Sequence, residues 1–259
     1  MSTLVPPSSP STGNQDQQIP TPRVDATLPS TRRPRPSNVT LKVTMAVTGT
    51  IFALFVLVHM IGNLKVYTGA THFDAYAHWL RTLLEPLLPY EGMLWIFRAV
   101  LLLCLFAHVG ASFMLIGRAH QAKGRFRRKG MSWKRWPAIL MPYTGLILLV
   151  FIIFHILDLT IGARPAASDQ FIQTTEQSSH AYHNLVASFE RWPVAAFYIV
   201  VMVLLGIHLV HGLWSVVNDF GATGKRVRQV GAGIALLLAA AVMIGNITIP
   251  LAVLTGVVK

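Results

Sequence analysis

Five of the chain's ten histidines, His59, His108, His155, His208 and His211, stand inside long runs of apolar residues. An imidazole in such a place can ligate a metal or haem iron, carry a proton, or hydrogen-bond across a helix interface. Ionisable side chains at membrane depth are costly, so five in one small protein favour a functional use over packing alone. The single cysteine, Cys104, excludes an internal disulfide and a zinc or iron–sulfur cluster built from this chain's own cysteines. Any redox centre in this chain must therefore use histidine.

The elements that position these residues follow from composition. Of 259 residues, 53% are hydrophobic and 12% charged, with a mean hydropathy of +0.52; a soluble chain carries about a quarter charged residues. The expected fold class is an all-α membrane protein. Five runs, about 43–64, 94–117, 138–161, 194–217 and 229–257, are long enough to cross the hydrocarbon core as helices that satisfy their own backbones. The net charge of +12 falls in short clusters between these runs, which is the pattern of orientation signals and not of a nucleic-acid surface. The stretch from Arg118 to Trp136 holds eight Lys and Arg and no acid, so it is expected to face the cytoplasm. The basic groups ending at Lys42 and at Lys225, Arg226 and Arg228 then share that side, which places the N-terminus in the cytoplasm and the segments 65–93 and 162–193 outside. Residues 1–38, rich in Pro, Ser and Thr, lack the apolar core of a signal peptide and the pattern of a transit peptide, and are expected to be a disordered tail ahead of a membrane domain at 39–259. Trp95, Trp136, Trp192 and Trp214 sit near span ends, where amphipathic rings favour the headgroups. The fifth span, with Gly231, Gly233, Gly245, Asn246 and Pro250, has no histidine and is expected to pack.

Depth decides which histidines can meet, because a helix rises about 1.5 Å per residue. His59 follows Lys42 by seventeen residues and His155 follows Arg135 by twenty, which puts both in the outer half of the bilayer. His108 precedes Arg118 by ten and His208 precedes Asp219 by eleven, which puts both in the inner half. The expected pairs are His59 with His155 and His108 with His208, at levels on the order of 10–15 Å apart. Two imidazoles from facing helices suit the axial positions of haem iron. A zinc or copper site would instead gather three or four ligands at one point. Two haems stacked between the first four spans, forming an electron wire, are thus expected; a transporter or structural membrane protein without haem is the alternative. Gly110, Ala111 and Ser112 beside His108, and Gly206 and Gly212 around His208, make room for a flat macrocycle or for close helix packing. His211, three residues beyond His208, either hydrogen-bonds a propionate or meets interfacial water. His72, His78, His120, His180 and His183 are expected at the surface.

These residues resemble a family: the single-chain, di-haem cytochrome b anchors of succinate:menaquinone oxidoreductases (succinate dehydrogenases), with quinol:fumarate reductases as relatives. The resemblance runs from about residue 42 onward and rests on His59 with Asn63, the stretch Phe73–His78, His108 with Gly110, Thr144 and Gly145 ahead of His155, and His208 with Gly212, Leu213 and Trp214. The last spacing selects His208 over His211. What the resemblance implies is two haems b, the outer held by His59 and His155 and the inner by His108 and His208. It also implies a flavoprotein that oxidises succinate and an iron–sulfur subunit that passes electrons through this anchor to menaquinone, in a bacterial cell membrane. The dicarboxylate chemistry then lies outside this chain. An anchor of another respiratory dehydrogenase is the nearest alternative. For the quinone, Asp158 is the expected proton relay, against the reading of a capping or solvated interfacial aspartate. Arg81, His78 and Trp79 are expected to line a quinone pocket or bind propionates, against that of a helix lying on the membrane surface; an inner-face quinone site stays open as well.

Overall fold

The computed structural model describes residues 36–123, 136–222 and 224–259. The expected tail, but for its last three residues, and the basic loop from 124 to 135 lie outside the described residues. Among the described residues, five helices are long and apolar enough to cross a membrane: α1 (Asn38–Asn63), α3 (Gly92–Lys123), α4 (Trp136–Ile156), α6 (Trp192–Asp219) and α7 (Lys225–Leu254). All five expected spans are present, and α1 begins one turn earlier than its apolar run. Ser37 starts that extra turn by accepting the Thr40 amide on its hydroxyl at 3.0 Å, which satisfies one of the orphan donors of a helix N-terminus. The protein is a multi-pass, all-helical membrane protein.

Among the described residues two shorter helices lie in the connections between spans: α2 (Ala70–Arg81), in the stretch weighed as a surface helix, after a 3₁₀ turn at Leu64–Thr68, and α5 (Ala181–Phe189), where the sequence leaves only a loop. Both pack at the same end of the bundle. Tyr76 of α2 lies against Gly62 at the end of α1, and the Tyr182 amide of α5 donates to Asp74 of α2 at 2.9 Å. The largest buried cluster forms at this end, where Phe73, Leu185, Phe189, Tyr198, Ile249 and Val253 come together.

Polar contacts tie the opposite end. Arg118 donates to the Asn38 side chain at 2.6 Å and to the Pro36 carbonyl at 2.7 Å, and Lys42 pairs with Asp219 at 3.3 Å. The start of α1 and the ends of α3 and α6 therefore lie together, so the spans alternate in direction. With 57% of the Lys42 side chain exposed, this pair contributes about 0–1 kcal/mol, and packing must hold the bundle. α7 packs most extensively on α6 and also meets α1. The approach depends on small residues: a Cβ at Gly245 would stand 2.7 Å from the Met60 sulfur, and one at Gly231 would stand 2.9 Å from Val217. α3 packs along α1, and α4 along α6. The outward faces are apolar, as Leu103 (70% exposed) and Phe106 (67%) on α3 show, which is the inverse of a soluble bundle and suits a hydrocarbon solvent.

Candidate cofactor site

At one level of the bundle, two imidazoles are held in the same way. His108 of α3 lies with Nδ1 3.0 Å from the Thr48 hydroxyl of α1, and His208 of α6 with Nδ1 3.0 Å from the Thr144 hydroxyl of α4. Each threonine has already committed its proton to its own helix: Thr48 donates to the Thr44 carbonyl at 2.7 Å, and Thr144 to the Leu140 and Met141 carbonyls at 3.1 Å each. With its proton so placed, the hydroxyl oxygen is free to accept from Nδ1–H, the tautomer that leaves the Nε2 lone pair for a ligand. A glycine follows each threonine and lies under the ring it holds. A Cβ at Gly49 would be 3.4 Å from His108 Cε1, and one at Gly145 would be 3.5 Å from His208 Cε1.

The Thr-Gly pair recurs with a fixed offset, eleven residues ahead of His59 on α1 and eleven ahead of His155 on α4. This internal repeat was the signal in the sequence for Thr48, which reasoning from histidines alone misses. Eleven residues rise about 16 Å, so the second pair of histidines sits about 16 Å along the axis from the threonine-held pair. There the rings of His59 and His155 are 5.9 Å apart, centroid to centroid, and nearly perpendicular at 86°. Phe55 stacks on His59 at 5.4 Å and Phe151 on His155 at 5.7 Å.

His155 also faces a buried polar network. Its Nδ1 lies 3.4 Å from the Tyr198 hydroxyl of α6, a long contact. Tyr198 donates to Asp158 Oδ2 at 2.9 Å, Ser188 donates to the same oxygen at 2.6 Å, and Arg191 pairs with Oδ1 at 2.8 Å. Asp158 is 1% exposed, which excludes the solvated reading of this aspartate. It is reached through a π-helical turn, Leu157–Ile161, that widens the end of α4; Gly162 closes the turn at φ +73°, where a Cβ would strike the Phe171 ring. Tyr198, Ser188 and Arg191 carry no motif that the sequence exposes, since they meet Asp158 only when α5 and the start of α6 fold against the end of α4.

None of the other expected site residues hydrogen-bonds a paired histidine among the described residues. Arg81 donates to Glu91 at 3.1 Å and to the Ala77 carbonyl at 2.8 Å, and Glu91 also pairs with Arg98 at 3.0 Å. His78 lies near the Tyr90 ring at 6.4 Å, and Trp79 is 53% exposed and stacked on Tyr76. His211 lines a cleft of about 560 Å³ between α6 and α7 with Trp214, Leu236 and Met243. Among the described residues it makes no hydrogen bond to the paired histidines. Of the remaining histidines, His120 bonds the Ile116 carbonyl of its own helix, His180 bonds Ser178, and His183 bonds the Gln170 carbonyl, while His72 is exposed.

No group of three or more His, Cys, Asp or Glu gathers into a metal cage among the described residues. The donor set instead fits an iron held between two imidazoles. The 5.9 Å between the His59 and His155 ring centroids leaves room for one metal–imidazole bond of about 2 Å from each ring.

Residues 116–248, from the end of α3 into α7, match a family described as the succinate dehydrogenase/fumarate reductase transmembrane subunit. The chain is also similar to the succinate dehydrogenase cytochrome b558 subunit of Bacillus subtilis (strain 168), at 24% identity over 187 residues that span 71% of this chain and 81% of the relative. No solved structure matches it significantly.

Proposed function

Since this chain belongs to the family of succinate dehydrogenase/fumarate reductase transmembrane subunits, we propose that it anchors a succinate dehydrogenase in the membrane and carries electrons between an iron–sulfur partner and menaquinone. The dicarboxylate chemistry then belongs to a flavoprotein partner. His59 with His155, and His108 with His208, would hold two haems b, whose iron supplies reversible one-electron exchange within the bilayer. The observation that carries this reading is the repeated hold on His108 and His208, in which a threonine hydroxyl meets Nδ1 at 3.0 Å and a glycine leaves space beside the ring.

The chain's own part is to orient and to insulate. Thr48 and Thr144 hold the direction of the His108 and His208 rings, and the hydrocarbon around the bundle would keep water from the imidazoles. The basic residues around Lys42, Arg118 and Lys225 form the face on which the iron–sulfur subunit would dock, with the N-terminus in the cytoplasm. Menaquinone would then react near the His59 level, on the α2 and α5 side. At that end Asp158 is held by three donors, an arrangement that favours anchoring over proton carriage.

A pyridine haemochrome assay on the purified complex tests the proposal. Two haems b per chain are expected, with one lost in His59→Ala or His155→Ala and the other in His108→Ala or His208→Ala. Well-folded protein without haem would overturn it.

A further inference from the structure

The two levels differ in what stands behind the imidazoles. At the His108/His208 level, each Nδ1–H meets a threonine whose own proton goes to a neutral backbone carbonyl. At the other level, the Nδ1 of His155 meets a tyrosine whose proton goes to a carboxylate, and His59 has no hydrogen-bond partner among the described residues. Resting on the haem-anchor reading above, we propose that Asp158 is a positioning residue that acts through Tyr198 on His155 and lowers the reduction potential of the haem at the His59/His155 level alone.

The physical route is short. Asp158 Oδ2 takes the Tyr198 proton at 2.9 Å and the Ser188 proton at 2.6 Å, and the Asp158 side chain is 0% exposed. A hydroxyl committed to a carboxylate carries more negative charge on its oxygen than one committed to an amide, because charge-assisted bonds polarise the chain they belong to. The oxygen therefore draws the Nδ1 hydrogen of His155 more strongly, and the imidazole becomes a more basic ligand that favours oxidised iron. Arg191, 28% exposed and 2.8 Å from Oδ1, pairs with the carboxylate and holds it in place, so what reaches the ring is bond polarisation and not a bare charge. A purely structural role would tie α4, α5 and α6 together through Asp158, Ser188 and Arg191, and would not need Tyr198 to face His155.

Tyr198→Phe separates the two roles, since it keeps the packed ring and the Asp158–Arg191–Ser188 tie while removing the hydroxyl. In redox titrations of the purified complex followed by haem absorbance, one haem of Tyr198→Phe should become easier to reduce by about tenfold, which is about 59 mV for one electron, with the other unmoved. Asp158→Asn should move the same component in the same direction. Thr144→Val, which takes the hydroxyl from His208, should move the other component. Two haems with unmoved potentials in Tyr198→Phe, equal shifts in both, or Tyr198→Phe and Thr144→Val acting on one component would overturn this inference and leave the haem-anchor reading standing. Wild-type complex without haem would overturn both.

Discussion

Replacing Arg191 with methionine keeps much of the apolar stem but removes the charge that faces Asp158. The carboxylate then keeps two of its three donors, Ser188 at 2.6 Å and Tyr198 at 2.9 Å, but loses its cation while 0% of its side chain is exposed. Breaking a buried ion pair from one side costs about 3–5 kcal/mol. The lower end applies, because Arg191 is 28% exposed and solvent screens part of the loss. The Arg191 bond to the Ala166 carbonyl at 2.8 Å is lost as well, adding about 1 kcal/mol. A total of about 4 kcal/mol corresponds to a fall of roughly 8–16 °C in Tm for a chain of this size. The assay is thermal unfolding of the detergent-solubilised complex, read by loss of the monodisperse peak, for Arg191→Met, Asp158→Asn and the double variant. If an unpaired charge is the cause, the double variant should recover more than half of the loss. A double variant as unstable as Arg191→Met alone, or an Arg191→Met as stable as wild type, would refute the reasoning.

The remaining expectations concern ring placement and backbone shape. Gly49→Leu, whose side chain begins 3.4 Å from His108 Cε1, should push that ring aside and leave one haem per chain by pyridine haemochrome, and two retained haems would count against the glycine's role. Gly162→Ala places a Cβ into Phe171 at a backbone conformation that L residues seldom adopt, so Tm should fall by several degrees while Gly110→Ala, with open space around its Cβ, leaves it unchanged.

The five spans were determined by the sequence alone, for a reason that leaves little choice. A run of twenty apolar residues in hydrocarbon must satisfy its backbone internally, and the helix is the form a single segment can take. The same rise per residue sorts His59 and His155 to one depth, and His108 and His208 to another, before any packing is known. Rotation about the helix axes was not written there. Whether Asp158 faces lipid, water or Arg191 depends on the π turn after Ile156 and on how α5 folds back against α4 and α6. Whether Arg81 is a free cation depends on Glu91, ten residues on in the chain and brought back by the turn between them. His211 shares its helix and nearly its depth with His208, yet it lines the cleft toward α7, while His208 meets Thr144 of α4. Spacing along one helix fixes height and relative angle, but only the packed neighbours decide what each angle looks upon, because side-chain partners across a bundle are chosen by tertiary contacts that no single segment contains.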